Sequence, residues 1–317
     1  MTGTGAQAIG LDVGGTKTAA IRVTIEGTVL ARHILPTPAN DMQATLETMV
    51  EVARAVIAPE VRAIGVGAAG LVEKDTGRLT FAPNLAWRNT PLAQHLWDAI
   101  GLPTVADNDA NAAAWGEYRL GAAAGYRHLL FAGAGTGIGG GIVVDGQLLR
   151  GAHGFAGEIG HIIVAPHGPL SGCGNHGCWE QFASGHAIAR AGREAARQHP
   201  QSMIARRCGG DPARVNGQVV SESARAGDPV ARGILAAVGR SLGEGLAGLA
   251  NVLDPEIVVV GGGAAAAGNL LMEPARAAFA SSIEAPAHRP RVPLVIASLG
   301  GDAGAIGAAL MALETLT

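Results

Sequence analysis

Apolar runs separated by glycine-rich turns recur along this chain, and one arrangement of them occurs twice. In the first copy, apolar runs at residues 8–13 and 19–25 flank the turn GGTK, and a Glu-Gly pair leads into a third run. In the second copy, runs at residues 129–132 and 138–144 flank the segment GAGTG, and an Asp-Gly pair leads into a third run. Each copy predicts three strands joined by a glycine turn and a hairpin. We therefore expect an internally duplicated domain.

Outside these two copies, segments whose apolar residues have helical spacing alternate with further short apolar runs. The predicted helices lie at residues 43–57, 95–100, 183–198, 229–253 and 304–316, and the further strands at 63–67, 104–106 and 257–260. Such alternation predicts α/β sheets covered by helices. We expect a small N-terminal domain at residues 1–121, completed by the C-terminal helix at 304–317, and a larger domain at 122–303.

Composition narrows the class of protein. The chain has 317 residues, of which 15% are charged and 48% hydrophobic, as is typical of a folded protein with two domains. A net charge of −3 argues against nucleic acid as a partner. The N-terminus lacks the pattern of a signal peptide, and the uncharged stretches are too short for a membrane span. Three cysteines favour a metal or free thiols over disulfides, so we expect a cytoplasmic protein with no membrane partner.

The two glycine turns carry the residues that we expect to bind nucleotide phosphates. They are Gly14, Gly15, Thr16 and Lys17 in the first turn, and Gly135, Thr136 and Gly137 in the second. Glycine lets backbone N–H groups approach an anion closely. A nicotinamide-cofactor turn would lead into a helix, whereas this second turn leads into another apolar run. Two ordinary glycine hairpins are the simpler alternative. We expect Lys17 to contact a phosphate and Asp12 to hold the Mg²⁺ of ATP through water.

A polar segment follows the strand that ends near residue 106. Its sequence is Asp-Asn-Asp-Ala-Asn, and a helix begins within it. One interpretation is a helix N-cap, which Asp and Asn both favour. However, the carboxyl end of a strand is also where α/β proteins bind ligands. We therefore predict that Asp109 is a catalytic base for a hydroxyl group and that Asn108 helps to position a sugar.

A His/Cys segment lies in the second half of the chain. Cys173 and Cys178 flank a glycine-rich turn, with His161 upstream, and this pattern is typical of a structural zinc site. Two buried free cysteines are the alternative. The fourth ligand stays open between His176, His167, Ser171, Cys208 and water. Glu158 and Glu180 flank the segment, and their carboxylates are suited to accept hydrogen bonds from sugar hydroxyls, or are surface charges.

Together these motifs resemble one family. The segments LDVGGTKTAA, DNDANAAAWGEYRLGAA, GTGIGGGIVV, GEIGH, CGNHGCWEQFASG and LDPEIVVVGGG are similar, in this order, to those of the ROK family of sugar kinases and sugar-responsive repressors, and most of all to its actinobacterial-type, ATP-dependent glucokinases. The resemblance implies an actin-like ATPase (ribonuclease H-like) fold of two duplicated α/β domains with a central cleft. It also implies a homodimer or homotetramer.

The resemblance further implies an ATP:hexose 6-phosphotransferase. Glucose is the expected substrate, and N-acetylglucosamine, mannose or fructose are alternatives. Asp109 matches the family's base, and Asn108, Glu158, His161 and Glu180 match its hexose ligands, with Asn84 as a further candidate. Gly261 and Gly262 match a turn near adenosine.

Two features bear on how far the resemblance extends. The family's His/Cys segment has a cysteine where this chain has Ser171, which weakens the expectation of zinc. The family's repressors carry a DNA-reading module before the first glycine turn, where this sequence has about nine residues. We therefore expect a kinase rather than a non-catalytic sugar-binding regulator.

Overall fold

The computed structural model describes residues 5–82 and 86–316. The strands are β1 (Gln7–Val13), β2 (Lys17–Thr24), β3 (Val29–Pro36), β4 (Val61–Ala68), β5 (Leu71–Val72), β6 (Leu79–Phe81), β7 (Arg88–Thr90), β8 (Thr104–Asn108), β9 (Leu129–Ala134), β10 (Ile138–Val144), β11 (Gln147–Leu148), β12 (Ile257–Gly261) and β13 (Leu294–Ile296). The helices are α1 (Met42–Val56), α2 (Leu92–Ile100), α3 (Asp109–Leu120), α4 (Glu180–Ala183), α5 (Gly185–Gln198), α6 (Met203–Arg207), α7 (Gly217–Arg225), α8 (Pro229–Leu253), α9 (Asn269–Ser282) and α10 (Ala303–Glu314).

The first sheet has the strand order β3-β2-β1-β4-β8. Strands β1 to β3 pair in antiparallel fashion, as the predicted hairpins require, whereas β4 runs parallel to both β1 and β8. The register places Asp12 of β1 beside Gly67 of β4, and Gly67 beside Asp107 of β8. The carboxyl ends of three parallel strands therefore meet at one edge of the sheet, where ligands bind in α/β folds.

Helix α10 covers the first sheet at very close range. A Cβ atom on Gly65 of β4 would overlap the carbonyl of Ala308, and a Cβ atom on Gly10 of β1 would overlap that of Ala305. On the other side of α10, Gly307 lies against the carbonyl of Ala112 in α3. Small residues thus let helix and sheet backbones approach each other, which explains how the core is filled in a chain with only 3% aromatic residues.

A second sheet repeats the topology of the first. Its strand order is β11-β10-β9-β12-β13. In chain order, both sheets therefore place the third, second, first, fourth and fifth strands side by side. Strands β10 and β11 are antiparallel, and β12 and β13 are parallel. The duplication predicted from the two glycine turns is confirmed by this shared topology.

Some elements differ from the sequence prediction. The helix expected at residues 183–198 is two helices, α4 and α5, which are separated at Ser184. The Ser184 side chain accepts a hydrogen bond from the N–H of Ala187 at 3.3 Å and so begins a new helix. The small sheet β5-β6-β7 was not predicted, because strands of two or three residues are too short to show a period. Among the described helices, α8 begins and ends at the predicted residues.

The chain divides into two compact units. Residues 1–131, 140–157 and 297–317 form the first unit, and residues 132–139 and 158–296 form the second. The sequence prediction assigned residues 122–131 and 140–157 to the second domain. They join the first unit because Gly141 of β10 lies directly against Ala110 and Ala114 of α3. None of the helices in the described ranges is long and apolar enough to cross a membrane.

Candidate functional site

Predicted site residues lie in both units, and each group is described within its own unit. In the first unit, Asp12 is near the end of β1, and Asn108 and Asp109 stand where β8 passes into α3. All three side chains are half-buried. The start of α10 completes this edge, since a Cβ atom on Gly304 would come within 3.8 Å of the Asp12 carboxyl and of the Asp109 carbonyl. The structure therefore brings the predicted base and the predicted magnesium ligand together.

Asn108 is the N-cap of α3. Its Oδ1 accepts hydrogen bonds from the N–H groups of Ala110 at 2.8 Å and Asn111 at 3.1 Å. Its Nδ2 donates to the carbonyl of Gly70 at 3.1 Å. The capping role considered for this segment thus falls to Asn108. That leaves Asp109, whose Oδ1 accepts from the N–H of Ala110 at 2.9 Å, as the carboxylate at the first turn of the helix.

Both carboxyl groups titrate abnormally. Burial raises the pKa of Asp109 above its ordinary value, although backbone hydrogen bonds oppose the shift. The pKa of Asp12 is raised from 3.8 to about 6, chiefly by burial and next by the charge of Asp109; Lys17 lowers it, and Asp302 contributes a smaller rise. Raised pKa values of this kind mark sites where charged groups act on a ligand. The effect on Asp12 also shows that the ammonium of Lys17 is close.

The first glycine turn lies between β1 and β2. The N–H of Gly14 donates to the carbonyl of Lys17 at 3.1 Å, which closes the turn. Thr16 and Lys17 are exposed, and Gly15 is half-buried. A cationic side chain and backbone N–H groups at an exposed turn are suited to bind an anion.

A partly buried ionic network behind the site was not predicted from the sequence. Asp107 precedes Asn108, and its Oδ2 accepts from Nε of Arg150 at 2.6 Å. Its Oδ1 accepts from the Asn108 N–H at 2.7 Å and from Nδ2 of Asn111 at 2.9 Å. The acidic run in the sequence indicated a site, but no local pattern could indicate Arg150, which is 43 residues away.

In the second unit, the second glycine turn joins β9 to β10. The N-terminal N–H groups of α5 donate to this turn, from Gly185 to the Gly135 carbonyl at 2.8 Å and from His186 to the Thr136 carbonyl at 3.2 Å. Behind the turn, Gly262 adopts a φ of +83°, and a Cβ atom there would lie 2.6 Å from the carbonyl carbon of Ala134. Gly261, the last residue of β12, is buried. The predicted phosphate and adenosine turns therefore lie next to each other.

A cavity of about 640 Å³ opens beside this turn. Its lining includes Gly135 and Thr136 of the turn, Asn216 and Gln218 at the start of α7, and the short 3₁₀ turn that begins at Gly263. The volume lies within the range of small-molecule and cofactor sites. Glycine backbone, amide side chains and a hydroxyl group give it the polar groups that a nucleotide requires.

The three predicted metal ligands also come together in the second unit. The ligand atoms of His161, Cys173 and Cys178 all lie within 4.8 Å of one another, and the two Sγ atoms are 3.6 Å apart. Tetrahedral zinc with Zn–S bonds of about 2.3 Å would place two thiolates about 3.8 Å apart. Nδ1 of His161 is buried with no hydrogen-bond partner in the described parts of the chain. These residues fit a metal ion.

Three of the other residues considered as a fourth ligand are already hydrogen-bonded. Nδ1 of His176 is 3.0 Å from the Gly168 carbonyl, and the thiol of Cys208 donates to the carbonyl of Ala205 at 3.2 Å. Ser171 is adjacent to the cluster, but its hydroxyl donates to Oε1 of Glu180 at 2.7 Å.

The two predicted sugar-binding glutamates lie on either side of the same cluster. Glu158 precedes the 3₁₀ turn that carries His161, and its Oε2 is 3.8 Å from Nε2 of that histidine. Glu180 is the first residue of α4, and a Cβ atom on Gly137 would overlap its Oε2. Glu180 therefore connects the metal-binding cluster with the second glycine turn. Asn84, the further candidate, lies outside the described residues.

The fold and the paired glycine turns define an actin-like ATPase of two duplicated α/β units. More closely, the chain belongs to the ROK family, whose model matches residues 8–315. It is 41% identical to a glucokinase of Streptomyces coelicolor over 96% of this chain and 97% of that protein. It is 35% identical to a glucokinase of Thermotoga maritima over 97% of this chain and 98% of that one.

A solved structure gives the same result. A ROK family glucokinase from Streptomyces griseus, in complex with glucose and AMPPNP, is similar with a TM-score of 0.90 and 41% identity, over 98% of this chain and 100% of that one. The family predicted from the motifs is confirmed.

Proposed function

We propose that this protein transfers the γ-phosphoryl group of ATP to the 6-hydroxyl group of glucose. The observation that carries the proposal is Asp109, a half-buried carboxylate with a raised pKa, which lies near Asp12 at the carboxyl ends of parallel strands. The similarity to glucokinases over nearly the whole chain supports glucose as the sugar.

Asp109 acts as the base. Its carboxylate takes the proton of the 6-hydroxyl group as the sugar oxygen forms a bond to the γ-phosphorus. The bond between that phosphorus and the bridging oxygen breaks, and ADP leaves with the electron pair. A carboxylate with a raised pKa is a stronger base than an exposed aspartate, which favours the transfer.

Each unit carries groups suited to bind a nucleotide. Gly14, Gly15, Thr16 and Lys17 in the first unit, and Gly135, Thr136 and Gly137 in the second, offer N–H groups, hydroxyl groups and one ammonium to phosphate oxygens. The cavity beside the second turn, next to Gly261 and Gly262, takes the nucleoside. Asp12 would hold the Mg²⁺ of ATP, and this ion, when bound, would supply withdrawal of charge from the phosphates.

The candidate hexose ligands are Asn108 in the first unit and Glu158, His161 and Glu180 in the second. Carboxylates accept hydrogen bonds from sugar hydroxyl groups. The side-chain amide of Asn108 has two N–H hydrogens, of which one bonds the Gly70 carbonyl and the other is donated to the sugar. The choice among hexoses depends on single hydroxyl or acetamide groups, so N-acetylglucosamine, mannose and fructose are the alternatives to test.

Zinc is the metal that we propose for the cluster of His161, Cys173 and Cys178. Two thiolates and one imidazole are the ligands that zinc prefers. When bound, the ion would hold the turn between residues 171 and 178 in place and thereby support Glu180. It takes no part in the proton transfer.

A sugar panel tests the proposed reaction. ADP release would be measured with ATP, Mg²⁺ and each of the four sugars, and the product identified by mass and by its 6-phosphate resonance. We expect glucose to give the highest kcat/KM. Equal ADP release without sugar, or glucose binding without turnover, would show that this is not a glucokinase, and the latter result would indicate a sugar-binding regulator.

The base assignment has its own test. Asp109→Asn keeps the size of the side chain but removes the base, so kcat should fall by about 10²- to 10⁴-fold while the glucose Kd changes little. Asp75→Asn, at an exposed carboxylate of the same unit, is the matched control. An Asp109→Asn enzyme with near-normal kcat would refute the role of Asp109.

Assembly and location complete the proposal. We propose a homodimer or homotetramer in the cytoplasm. Ile162, Val164 and Val252 of the second unit expose 38%, 47% and 80% of their surface, and contiguous exposed apolar side chains are typical of contact surfaces. Light scattering of the purified protein would measure the mass, and a monomer would contradict the proposal.

A further inference from the structure

Ser171 is a buried hydroxyl with a defined partner. Only 4% of the residue is exposed, and its Oγ donates to Oε1 of Glu180 at 2.7 Å. An ionised carboxylate has no proton to donate, so the Ser171 hydroxyl is the donor in this hydrogen bond. The same Oγ accepts from the N–H of Cys173 at 3.3 Å, and the N–H of Ser171 donates to the carbonyl of Asn175 at 2.8 Å. The hydroxyl is therefore held between the turn and Glu180.

The Ser171 hydroxyl lies within hydrogen-bonding reach of the thiols of Cys173 and Cys178, so its chemistry, and not its distance, sets it apart from the three metal ligands. A thiol ionises readily near a metal, whereas a serine hydroxyl does not, and zinc is bound by anionic sulfur or neutral imidazole. To bind zinc as an anion, Ser171 would have to lose its hydroxyl proton, and this proton is already donated to Glu180. The described part of the chain thus offers zinc three ligand side chains, namely His161, Cys173 and Cys178.

Glu180 is a side chain that needs such a partner. A glutamate has three rotatable bonds, and a ligand-binding group performs best when neighbouring hydrogen bonds fix its rotamer. The other donor to Oε1 is the side chain of Gln181, at the long distance of 3.5 Å. With Oε1 fixed by Ser171, Oε2 lies against Gly137 of the second glycine turn.

We propose that Ser171 is a positioning residue that orients Glu180 for the sugar, and that this role replaces metal binding at its position. The inference rests on the proposed function, because it assigns Glu180 to the hexose. It makes a specific statement about residue 171: a hydroxyl there favours sugar binding, and a thiol there favours zinc binding.

Two substitutions test this statement in opposite directions. Ser171→Ala removes the donor, so the glucose Kd and KM should rise about tenfold, as expected for one hydrogen bond to a charged group, while kcat and the KM for ATP stay within about twofold. Ser171→Cys adds a zinc ligand, so zinc affinity should rise at least about tenfold while glucose affinity falls. The control is Ser281→Ala, which removes an exposed hydroxyl from the same unit.

Three measurements separate the outcomes. Glucose binding is measured by calorimetry, zinc affinity by competition with a chromogenic chelator, and folding by Tm. The proposal is overturned if Ser171→Cys binds glucose as well as the wild type does, or if Ser171→Ala loses zinc affinity as Cys178→Ser does. If Ser171 had a purely structural role, Ser171→Ala would lower Tm and change kcat and both KM values together. Wild-type glucose binding without turnover would overturn only the proposed function, and no glucose binding would overturn both.

Discussion

Replacing Asp12 with asparagine should stabilise the protein at neutral pH while impairing its function. The pKa of Asp12 rises from 3.8 to about 6, first because the carboxyl is buried and next because Asp109 is nearby. Each unit of difference between the folded and unfolded pKa corresponds to about 1.4 kcal/mol, so the ionised carboxylate destabilises the fold by about 3 kcal/mol. Asparagine has the same shape without the charge and should remove this penalty.

The sign of the effect depends on pH. Well below pH 3.8 the carboxyl is protonated in both the folded and the unfolded state, so the penalty is absent. As the pH rises through the folded pKa of about 6, the folded state must lose a proton that it holds more tightly, and stability declines. From the two pKa values we expect the penalty to be about 1.5 kcal/mol at pH 5 and about 3 kcal/mol at pH 8.

Thermal unfolding across this range measures the effect. For a domain of this size, 1 kcal/mol corresponds to about 2 to 4 °C in Tm, so Asp12→Asn should melt several degrees above the wild type at pH 8 and about half as far above it at pH 5. Samples contain neither ATP nor Mg²⁺. Asp75→Asn, at an exposed carboxylate, should show no such trend. A Tm gain that does not change with pH, or a loss at pH 8, would refute the reasoning.

Three further substitutions test other parts of the structure. Arg150→Ala removes the partner of Asp107 behind the base, and kcat in the ADP-release assay should fall about tenfold with both KM values little changed; an unchanged kcat would contradict this. Glu117→Ala removes a buried carboxylate that accepts from the N–H groups of Ala122, Ser298 and Leu299, so chemical denaturation should show a loss of about 3 kcal/mol or more. Gly262→Ala forces a side chain into a φ of +83° and should raise the KM for ATP about tenfold while sparing glucose binding; an equal effect on both substrates would place Gly262 outside the nucleotide site.

Local patterns in the sequence predicted the duplicated strands well. The alternation of apolar runs and glycine turns was strong enough to place β1, β2, β9 and β10 to within two residues at most ends. Helix α8 was predicted from the apolar spacing of residues 229–253, and the structure adds its N-cap, Asp228, whose side chain accepts from the N–H of Ala231 at 3.0 Å. These elements are determined by residues that are close together in the chain, and such local patterns are what sequence periodicity detects.

Contacts between distant segments could not be predicted in this way. The ion pair of Arg150 with Asp107 depends on sheet topology, because the two residues meet only after β9 to β11 have folded back toward α3. The capping role of Asn108 and the bond from Ser171 to Glu180 depend on side-chain geometry that composition leaves open. The sequence thus indicated which residue types act at the site, whereas their partners required the structure.

The penalty at Asp12 has a functional interpretation. Lys17 offsets only part of it, since the pKa of Asp12 remains at about 6 despite the ammonium nearby. A bound cation stabilises the fold more at such a site than at an uncharged one, because it relieves the repulsion between Asp12 and Asp109. Saturating MgATP should therefore raise the Tm of the wild type more than that of Asp12→Asn, and the gap between them at pH 8 should close or reverse. If MgATP raised both Tm values equally, the unfavourable charge at Asp12 would have no part in binding the metal–nucleotide complex.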